Sequence, residues 1–136
     1  MTFSTRIRVA FGDTDPAGLV YYPNLLHYCH LAMERFFAER CGIPYSDLIL
    51  KERIGFPTVK IDAEFVSPLT YGDEANVTVE VAAVGNSSLT LLYTLRRVGD
   101  DVTCARVEQV HVAMALESKR SQAIPSYLRE ILITTT

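Results

Sequence analysis

The sequence predicts an α+β fold in which one mostly antiparallel, five-stranded sheet curves around a single long helix. Three observations support this prediction. An alternating segment opens the chain and leads into a stiff loop, a strongly apolar helix follows that loop, and four alternating segments joined mostly by hairpin turns come after it. Because the helix is apolar on most sides, a flat sheet would leave part of it uncovered, so a curved sheet is expected.

The composition is that of an ordinary globular chain. Of the 136 residues, 49% are hydrophobic and 21% are charged, which suits one domain over residues 1–136. The net charge of -3 argues against a broad nucleic-acid surface. No signal-peptide core or membrane-span pattern is visible, so a cytoplasmic protein without membrane contact is expected. The spacing of Cys29, Cys41 and Cys104 fits neither a disulfide framework nor a zinc site, and buried thiols without a cofactor are expected.

Periodicity assigns the individual elements. Residues 3–11 alternate and are predicted to form a half-buried strand with Phe11 on its buried face. Residues 23–41 carry apolar side chains at three- and four-residue spacing and are predicted to be helical, with Gly42 ending the helix. The other predicted elements are short helical turns at 45–51, strands at 58–66, 77–82, 89–96 and 102–116, and a C-terminal helix at 125–133.

The loop between the first strand and the long helix organises the chain. Asp13 and Asp15 lie two positions apart, a proline follows Asp15, and Gly18 permits a positive φ. Pro23 suits a first helical turn because it has no N–H to be left unpaired. The loop therefore brings carboxylates close to a helix N-terminus, whose free N–H groups favour negative charge. Such a site suits acyl transfer; the alternative is a tight turn that its Asp residues merely cap.

The run Asp-x-Asp-Pro-x-Gly-x-x-Tyr-Tyr-Pro-Asn, residues 13–24, resembles the active-site loop of the 4-hydroxybenzoyl-CoA thioesterase family, whose members have the hotdog fold. The resemblance implies an acyl-CoA thioesterase that hydrolyses a thioester to the free acid and CoA. It assigns the catalytic carboxylate to Asp15, as nucleophile or general base, and leaves Asp13 to tie the loop. It also implies that the backbone N–H of Tyr22 is the oxyanion donor and that Gly18 lies beside the acyl group.

The resemblance further implies substrate contacts outside the loop. Phe56 and Thr58 fall in a neighbourhood that, in the family, approaches the partner subunit's active site, and both are expected near the acyl pocket. Related sequences carry a basic residue and a serine in the hairpin between the third and fourth strands, where they bind the CoA phosphates. In this chain the hairpin contains Ser87 and Ser88 but no charged residue. Because the basic residue that would bind the CoA phosphates is absent, an acyl carrier protein thioester remains an alternative substrate.

An oligomer is expected on physical grounds and by resemblance. One sheet with a single covering helix leaves a sheet edge to be buried. Hotdog proteins pair their sheets edge to edge, which implies a homodimer or homotetramer.

The histidines indicate a function less clearly than the loop does. His27 and His30 lie three apart on the predicted helix, but a metal would need a third ligand, and no metal site is predicted. His30 is either a pocket residue that hydrogen-bonds the acyl group or a satisfied interior histidine. His111 lies in a predicted strand and is expected to be structural.

Three other functions are alternatives to thioester hydrolysis. A hotdog hydratase or dehydratase acting on a thioester would want an acid and a histidine together, and no histidine neighbours Asp15 in the sequence. A non-catalytic thioester-binding protein stays open, although the intact Asp15 argues against it. An EF-hand beginning at Asp13 fails because Asn24 stands where the bidentate glutamate is needed. Aryl, short-chain and branched acyl groups all remain open.

Overall fold

The computed structural model describes residues 2–135 and contains three helices and eight strands within that range. The helices are α1 (Tyr22–Glu39), α2 (Tyr45–Leu50) and α3 (Ser126–Thr134). The strands are β1 (Phe3–Arg8), β2 (Ile54–Gly55), β3 (Thr58–Phe65), β4 (Glu74–Val84), β5 (Ser88–Arg97), β6 (Thr103–Val112), β7 (Met114–Ala115) and β8 (Arg120–Ser121).

Five of the strands form one antiparallel sheet in the order β1-β4-β5-β6-β3. The two central hairpins, β4–β5 and β5–β6, follow from alternating segments joined by short turns. The predicted five-stranded sheet is therefore confirmed, with β1 and β3 as its edges. A second sheet, β2-β7-β8, was not predicted, because its strands have two residues each.

The core lies between α1 and one face of the large sheet. The helix buries a broad apolar face, which includes Met33, Phe36 and Phe37, and alternate side chains of β5 such as Leu91 and Tyr93 are fully buried beneath it. Each apolar side chain of this size contributes roughly 1.5–3 kcal/mol on burial, so this contact holds the sheet and helix together.

The predicted end of the long helix at Gly42 is confirmed by the backbone conformation there. The C-terminal end of α1 has the conformation that its glycine predicts. Gly42 has a φ of +74°, in the left-handed region that other residues avoid. The amide of Ile43 then turns back and donates to the carbonyl oxygen of Phe37 at 3.0 Å.

Two strand predictions are wrong. The first strand ends at Arg8, which pairs with Glu74, the first residue of β4; the amide of Val9 still donates to the carbonyl of Asp73 at 2.9 Å before the backbone enters a 3-10 turn. Phe11 lies instead in a 3-10 turn, 76% exposed, and its ring packs edge-on against Tyr71 at 5.5 Å between centroids.

The predicted strand at 102–116 is broken at Ala113. Its amide donates to the carbonyl of Ser87 and its carbonyl accepts from the amide of Gln122, so the backbone leaves the large sheet there. The following residues, β7, join the small sheet instead.

The cysteines are buried and free, as expected. Burial raises the pKa of the Cys29 and Cys41 thiols to about 12, so both stay protonated and are poor nucleophiles at neutral pH. Within residues 2–135, no helix combines the length and the hydropathy that a membrane crossing requires.

Candidate active site

Residues 13–22, called the acid loop below, form a tight and well-anchored turn. The amide of Asp15 donates to the carbonyl of Leu19 at 2.8 Å, and the amide of Gly18 donates back to the carbonyl of Asp15 at 2.9 Å. Gly18 has a φ of +83°, which confirms the predicted need for glycine. The amide of Val20 donates to the carbonyl of Leu69 at 2.8 Å. The acid loop is thereby fixed to the segment that follows β3.

Asp13 ties the acid loop to the helix. Its Oδ2 accepts a 2.6 Å hydrogen bond from the hydroxyl of Tyr28 and a 3.1 Å bond from the amide of Ala10. Its backbone carbonyl accepts from the side-chain amide of Asn24 at 2.8 Å. Tyr28 is buried, and burial together with the bond to Asp13 raises the pKa of its hydroxyl. Asp13 is thus used structurally.

Asp15 is held differently. Its Oδ1 accepts from the amides of Ala17 at 2.9 Å and Leu19 at 3.3 Å, an Asx turn that fixes the carboxylate. No residue in the described range donates to its Oδ2. The side chain is half-buried. One carboxylate oxygen therefore orients the group, and the other is available for a substrate or a water.

The N-terminus of α1 supplies a free donor beside this loop. Tyr22 is the first residue of an 18-residue helix whose N-cap, Tyr21, gives no side-chain hydrogen bond. None of residues 2–135 accepts a hydrogen bond from the amide of Tyr22. Pro23, the next residue, has no N–H. The amide of Tyr22 is therefore an unpaired donor at the positive end of the helix dipole.

An apolar pocket of about 260 Å³ adjoins this terminus and is called the loop pocket. Tyr22 and Leu25 of α1, Leu19 of the acid loop and Phe65 at the end of β3 contribute to its walls. The rings of Tyr22 and Phe65 pack edge-on, with centroids 6.0 Å apart. The loop pocket can hold an apolar group next to the acid loop.

A second pocket, of about 370 Å³, brings three of the predicted substrate residues together. His30, Phe56 and Thr58 all line it, and it is called the inner pocket. None of the residues that line it belongs to the acid loop. Along α1, His30 lies roughly 12 Å beyond Tyr22, at 1.5 Å per residue. Within one chain, the predicted catalytic residues and these three substrate residues therefore form two separate groups.

His30 is not an interior histidine. Its side chain is 49% exposed, and its Nε2 lies 2.8 Å from a carboxylate oxygen of Glu34, one helical turn further on. Its ring packs edge-on against Tyr45 at 6.2 Å, and the Tyr45 hydroxyl accepts from the amide of Phe56 at 3.2 Å. His30 thus lies at the rim of the inner pocket. No three His, Cys, Asp or Glu side chains in residues 2–135 are grouped so that they could hold a metal ion.

Sequence reasoning missed His111 as a pocket residue. It is 2% exposed and lines the inner pocket, with its Nδ1 3.0 Å from the carbonyl oxygen of Phe56 and 3.3 Å from Oγ1 of Thr58. Burial, with the nearby His30 as a smaller cause, lowers the pKa of His111. The only available signal was its place among the inward-facing positions of β6, which does not distinguish a core residue from a pocket residue.

The predicted phosphate-contacting serines lie apart from both pockets. Ser87 and Ser88 belong to the β4–β5 hairpin and line neither the loop pocket nor the inner pocket. A basic residue that the sequence reasoning did not name reaches this hairpin: the guanidinium of Arg129 in α3 donates to the carbonyl oxygen of Gly85.

Comparisons with known proteins agree with this geometry. The sequence profile of the thioesterase-like superfamily matches residues 9–132. A 1,4-dihydroxy-2-naphthoyl-CoA hydrolase from Thermosynechococcus vestitus is 32% identical over 120 residues, which cover 88% of this chain and 81% of that protein. A 4-hydroxybenzoyl-CoA thioesterase from a Pseudomonas species is 29% identical over 122 residues, or 86% of either chain. The solved structure of a gentisyl-coenzyme A thioesterase superposes with a TM-score of 0.85 at 30% identity, covering 93% of this chain and 99% of that one.

The profile match spans four of the five strands of the large sheet, the long helix and the acid loop, so it concerns most of the architecture and not one motif. The predicted family resemblance is confirmed. The chain belongs to the thioesterase-like superfamily, and it is a thioester hydrolase with the hotdog fold.

Proposed function

We propose that this enzyme is an acyl-CoA thioesterase that uses Asp15 as its catalytic carboxylate and the Tyr22 amide as its oxyanion donor. The observation that carries the proposal is that the acid loop contains both a fixed carboxylate and a free backbone donor. Asp15 is oriented through one oxygen only, and the Tyr22 amide at the start of α1 has no partner in the described chain. A thioester carbonyl placed between them would meet both groups that hydrolysis needs.

Two routes are compatible with this arrangement. In the first, Asp15 takes a proton from water while the water oxygen bonds to the carbonyl carbon, and the tetrahedral intermediate then expels the CoA thiolate. In the second, Asp15 itself attacks, the thiolate leaves, and water hydrolyses the mixed anhydride. In both, the Tyr22 amide stabilises the oxyanion, an interaction worth about 3 kcal/mol for one preorganised donor.

An aryl acyl group is the substrate class that we favour. The three relatives described above carry names that specify aromatic acyl-CoA substrates. Both pockets have mainly apolar walls, as an aromatic ring requires. These names also support CoA as the thiol carrier over an acyl carrier protein.

The edge strand β3 supports a homodimer, or a tetramer built from such dimers. Val59, Ile61 and Phe65 are 60%, 46% and 47% exposed on this strand, which pairs with β6 on one side only. A strand with a free backbone edge and exposed apolar side chains favours pairing with a second copy.

Antiparallel pairing of β3 with β3 of a second copy would also complete the site. The Thr58 end of the strand lines the inner pocket, and the Phe65 end lines the loop pocket. A two-fold axis near the middle of β3 would therefore bring the loop pocket of one protomer to the inner pocket of the other. We infer that the acid loop of one protomer acts on an acyl group lodged in the second protomer's inner pocket.

Release of free thiol from a panel of acyl-CoAs tests the proposed activity. The panel should contain benzoyl, hydroxybenzoyl, naphthoyl, short-chain and branched thioesters, with the Asp15→Asn protein as the matched control. We expect the aryl thioesters to be hydrolysed fastest, and Asp15→Asn to be nearly inactive on all of them. Hydration of an enoyl-CoA without any thiol release would instead identify a hydratase. Tight binding of the thioesters without turnover would identify a non-catalytic binding protein.

A further inference from the structure

The inner pocket contains one feature that the proposed reaction does not use. We propose that Nε2 of His111 is a hydrogen-bond acceptor that selects acyl groups carrying a hydroxyl group on an otherwise apolar body. The inference deepens the proposed function and rests on it, since it names the part of the thioester substrate that the inner pocket recognises.

The backbone around His111 fixes which ring nitrogen carries the proton. Nδ1 lies 3.0 Å from the carbonyl oxygen of Phe56, and a carbonyl oxygen can only accept. Nδ1 must therefore be the protonated nitrogen. The hydroxyl oxygen of Thr58, at 3.3 Å from the same nitrogen, can share that proton as a second acceptor. In the neutral ring, Nε2 is then left with a lone pair.

That lone pair has no partner inside the protein. Among residues 2–135, no donor reaches Nε2 of His111, although the atom is buried. A buried polar atom without a hydrogen bond is destabilising and uncommon in native structures. Burial of the ring lowers the pKa of His111, so the neutral form with its Nε2 acceptor is the one present at neutral pH. Any group that pairs with this lone pair has to be a donor, and a hydroxyl group is one.

The remaining walls define the rest of the ligand. Met33, Ile49, Phe56 and Met114 line the inner pocket and offer apolar surface. Its volume of about 370 Å³ is well above the ~150 Å³ of an engineered apolar cavity that holds benzene. An aromatic ring with a hydroxyl substituent fits both the volume and the single buried acceptor. A carboxylate facing Nε2 would place one acceptor against another and would carry its charge into a mainly apolar site.

Binding of a matched ligand pair separates this inference from the hydrolytic activity. The probes are 4-ethylphenol and ethylbenzene, which differ by one hydroxyl group, and their affinities for the intact wild-type protein are measured by NMR titration. We expect the phenol to bind about five- to tenfold more tightly, the effect of one net hydrogen bond. Equal affinities would overturn the inference, whether or not the protein hydrolyses thioesters.

Two variants test the residue. His111→Phe keeps an aromatic ring but removes the acceptor, and Met114→Leu changes the same pocket without touching a polar atom. We expect His111→Phe to bind the two probes equally, and Met114→Leu to keep the preference for the phenol. A preference that survives in His111→Phe would overturn the inference. The same pattern is expected in kcat/KM for hydroxybenzoyl-CoA relative to benzoyl-CoA.

Ring-nitrogen NMR of the wild-type protein supplies a readout that does not depend on a variant folding. We expect His111 to be protonated on Nδ1 in the free protein, and its Nε2 resonance to move on addition of 4-ethylphenol but not of ethylbenzene. A free protein with the proton on Nε2, or an Nε2 resonance that ignores the phenol, would overturn the inference. If thioester hydrolysis fails while this shift appears, the proposed activity is wrong and the hydroxyl-binding pocket stands.

Discussion

The acid loop and the inner pocket hold their polar groups in opposite ways. In the acid loop, the amides of Ala17 and Leu19, two and four positions away, orient Asp15, and its side chain stays half-buried. In the inner pocket, His111 is buried and held by a carbonyl 55 positions away in the sequence. The difference teaches that the proposed catalytic carboxylate depends on local backbone geometry, whereas the proposed substrate-selecting histidine depends on a contact between distant segments.

The largest effect should come from the two carboxylates of the acid loop. Asp15→Asn keeps the size of the side chain but loses the charge that attacks or takes a proton, and we expect kcat/KM to fall roughly 10²–10⁴-fold. The melting temperature should change little, because an amide oxygen can still accept from Ala17 and Leu19.

Asp13→Asn is the matched control for this variant. It weakens the charged hydrogen bond from Tyr28, so its main effect should be a loss of about 1.5–3 kcal/mol in the free energy of unfolding, measured in urea. If Asp13→Asn abolished turnover without loss of stability while Asp15→Asn stayed active, the catalytic and structural roles of the two carboxylates would have to be exchanged.

A charge on the edge of β3 should disrupt the proposed dimer and so separate the acid loop of one protomer from the inner pocket of the other. In Ile61→Lys, a two-fold β3 pairing would bring two like charges together, at a cost of several kcal/mol. We expect light scattering to give the mass of one chain and thioester hydrolysis to fall with it. Thr134→Lys adds the same charge at an exposed position of α3 and should change neither property. An Ile61→Lys monomer with full activity would show that one chain suffices.

The inner pocket should also make stability depend on pH. The folded pKa of His111 lies below its ordinary value of 6.5, so the unfolded chain takes up a proton that the folded protein resists. The free energy of unfolding should therefore fall as the pH drops below about 6.5, by at most about 1.4 kcal/mol per pH unit for this one group. His30 lines the same pocket and is unchanged between the two proteins, so the comparison isolates His111. His111→Phe should therefore show a flatter dependence in urea unfolding between pH 7 and pH 5, and an unchanged slope would contradict a buried neutral His111.

The smallest effect is expected for the nucleotide half of CoA. Ser87 and Ser88 offer neutral donors, and the Arg129 guanidinium already donates to Gly85. Neutral hydrogen bonds are about half as strong as charge-assisted ones, so the phosphates should add little to binding. We expect kcat/KM for a pantetheine thioester to be close to that for the matched CoA thioester, at low and high salt alike. A large preference for CoA that disappears with added salt would show that basic residues do bind the phosphates.

The acid loop and the inner pocket also differ in how far the sequence predicts them. The acid loop, the glycine turn at Gly18 and the long helix were predictable, because each depends on residues close together in the chain. The break at Ala113 was not, since it depends on hydrogen bonds to Ser87 and Gln122, and neither proline nor glycine marks it. For the same reason the pocket role of His111 was missed: alternation along β6 gives its face, but only the three-dimensional fold brings it to Phe56.

Mixed oligomers test the central claim, that the acid loop of one protomer serves the inner pocket of the other. The two parents are Asp15→Asn, which disables the loop, and Met114→Trp, which fills the inner pocket. Each should be inactive on the best aryl thioester alone. If the site is shared, random mixing should restore about a quarter of wild-type activity, because each mixed dimer regains one intact site. No recovery, with mixed dimers shown to form, would mean that loop and pocket act within one chain and would contradict the shared site.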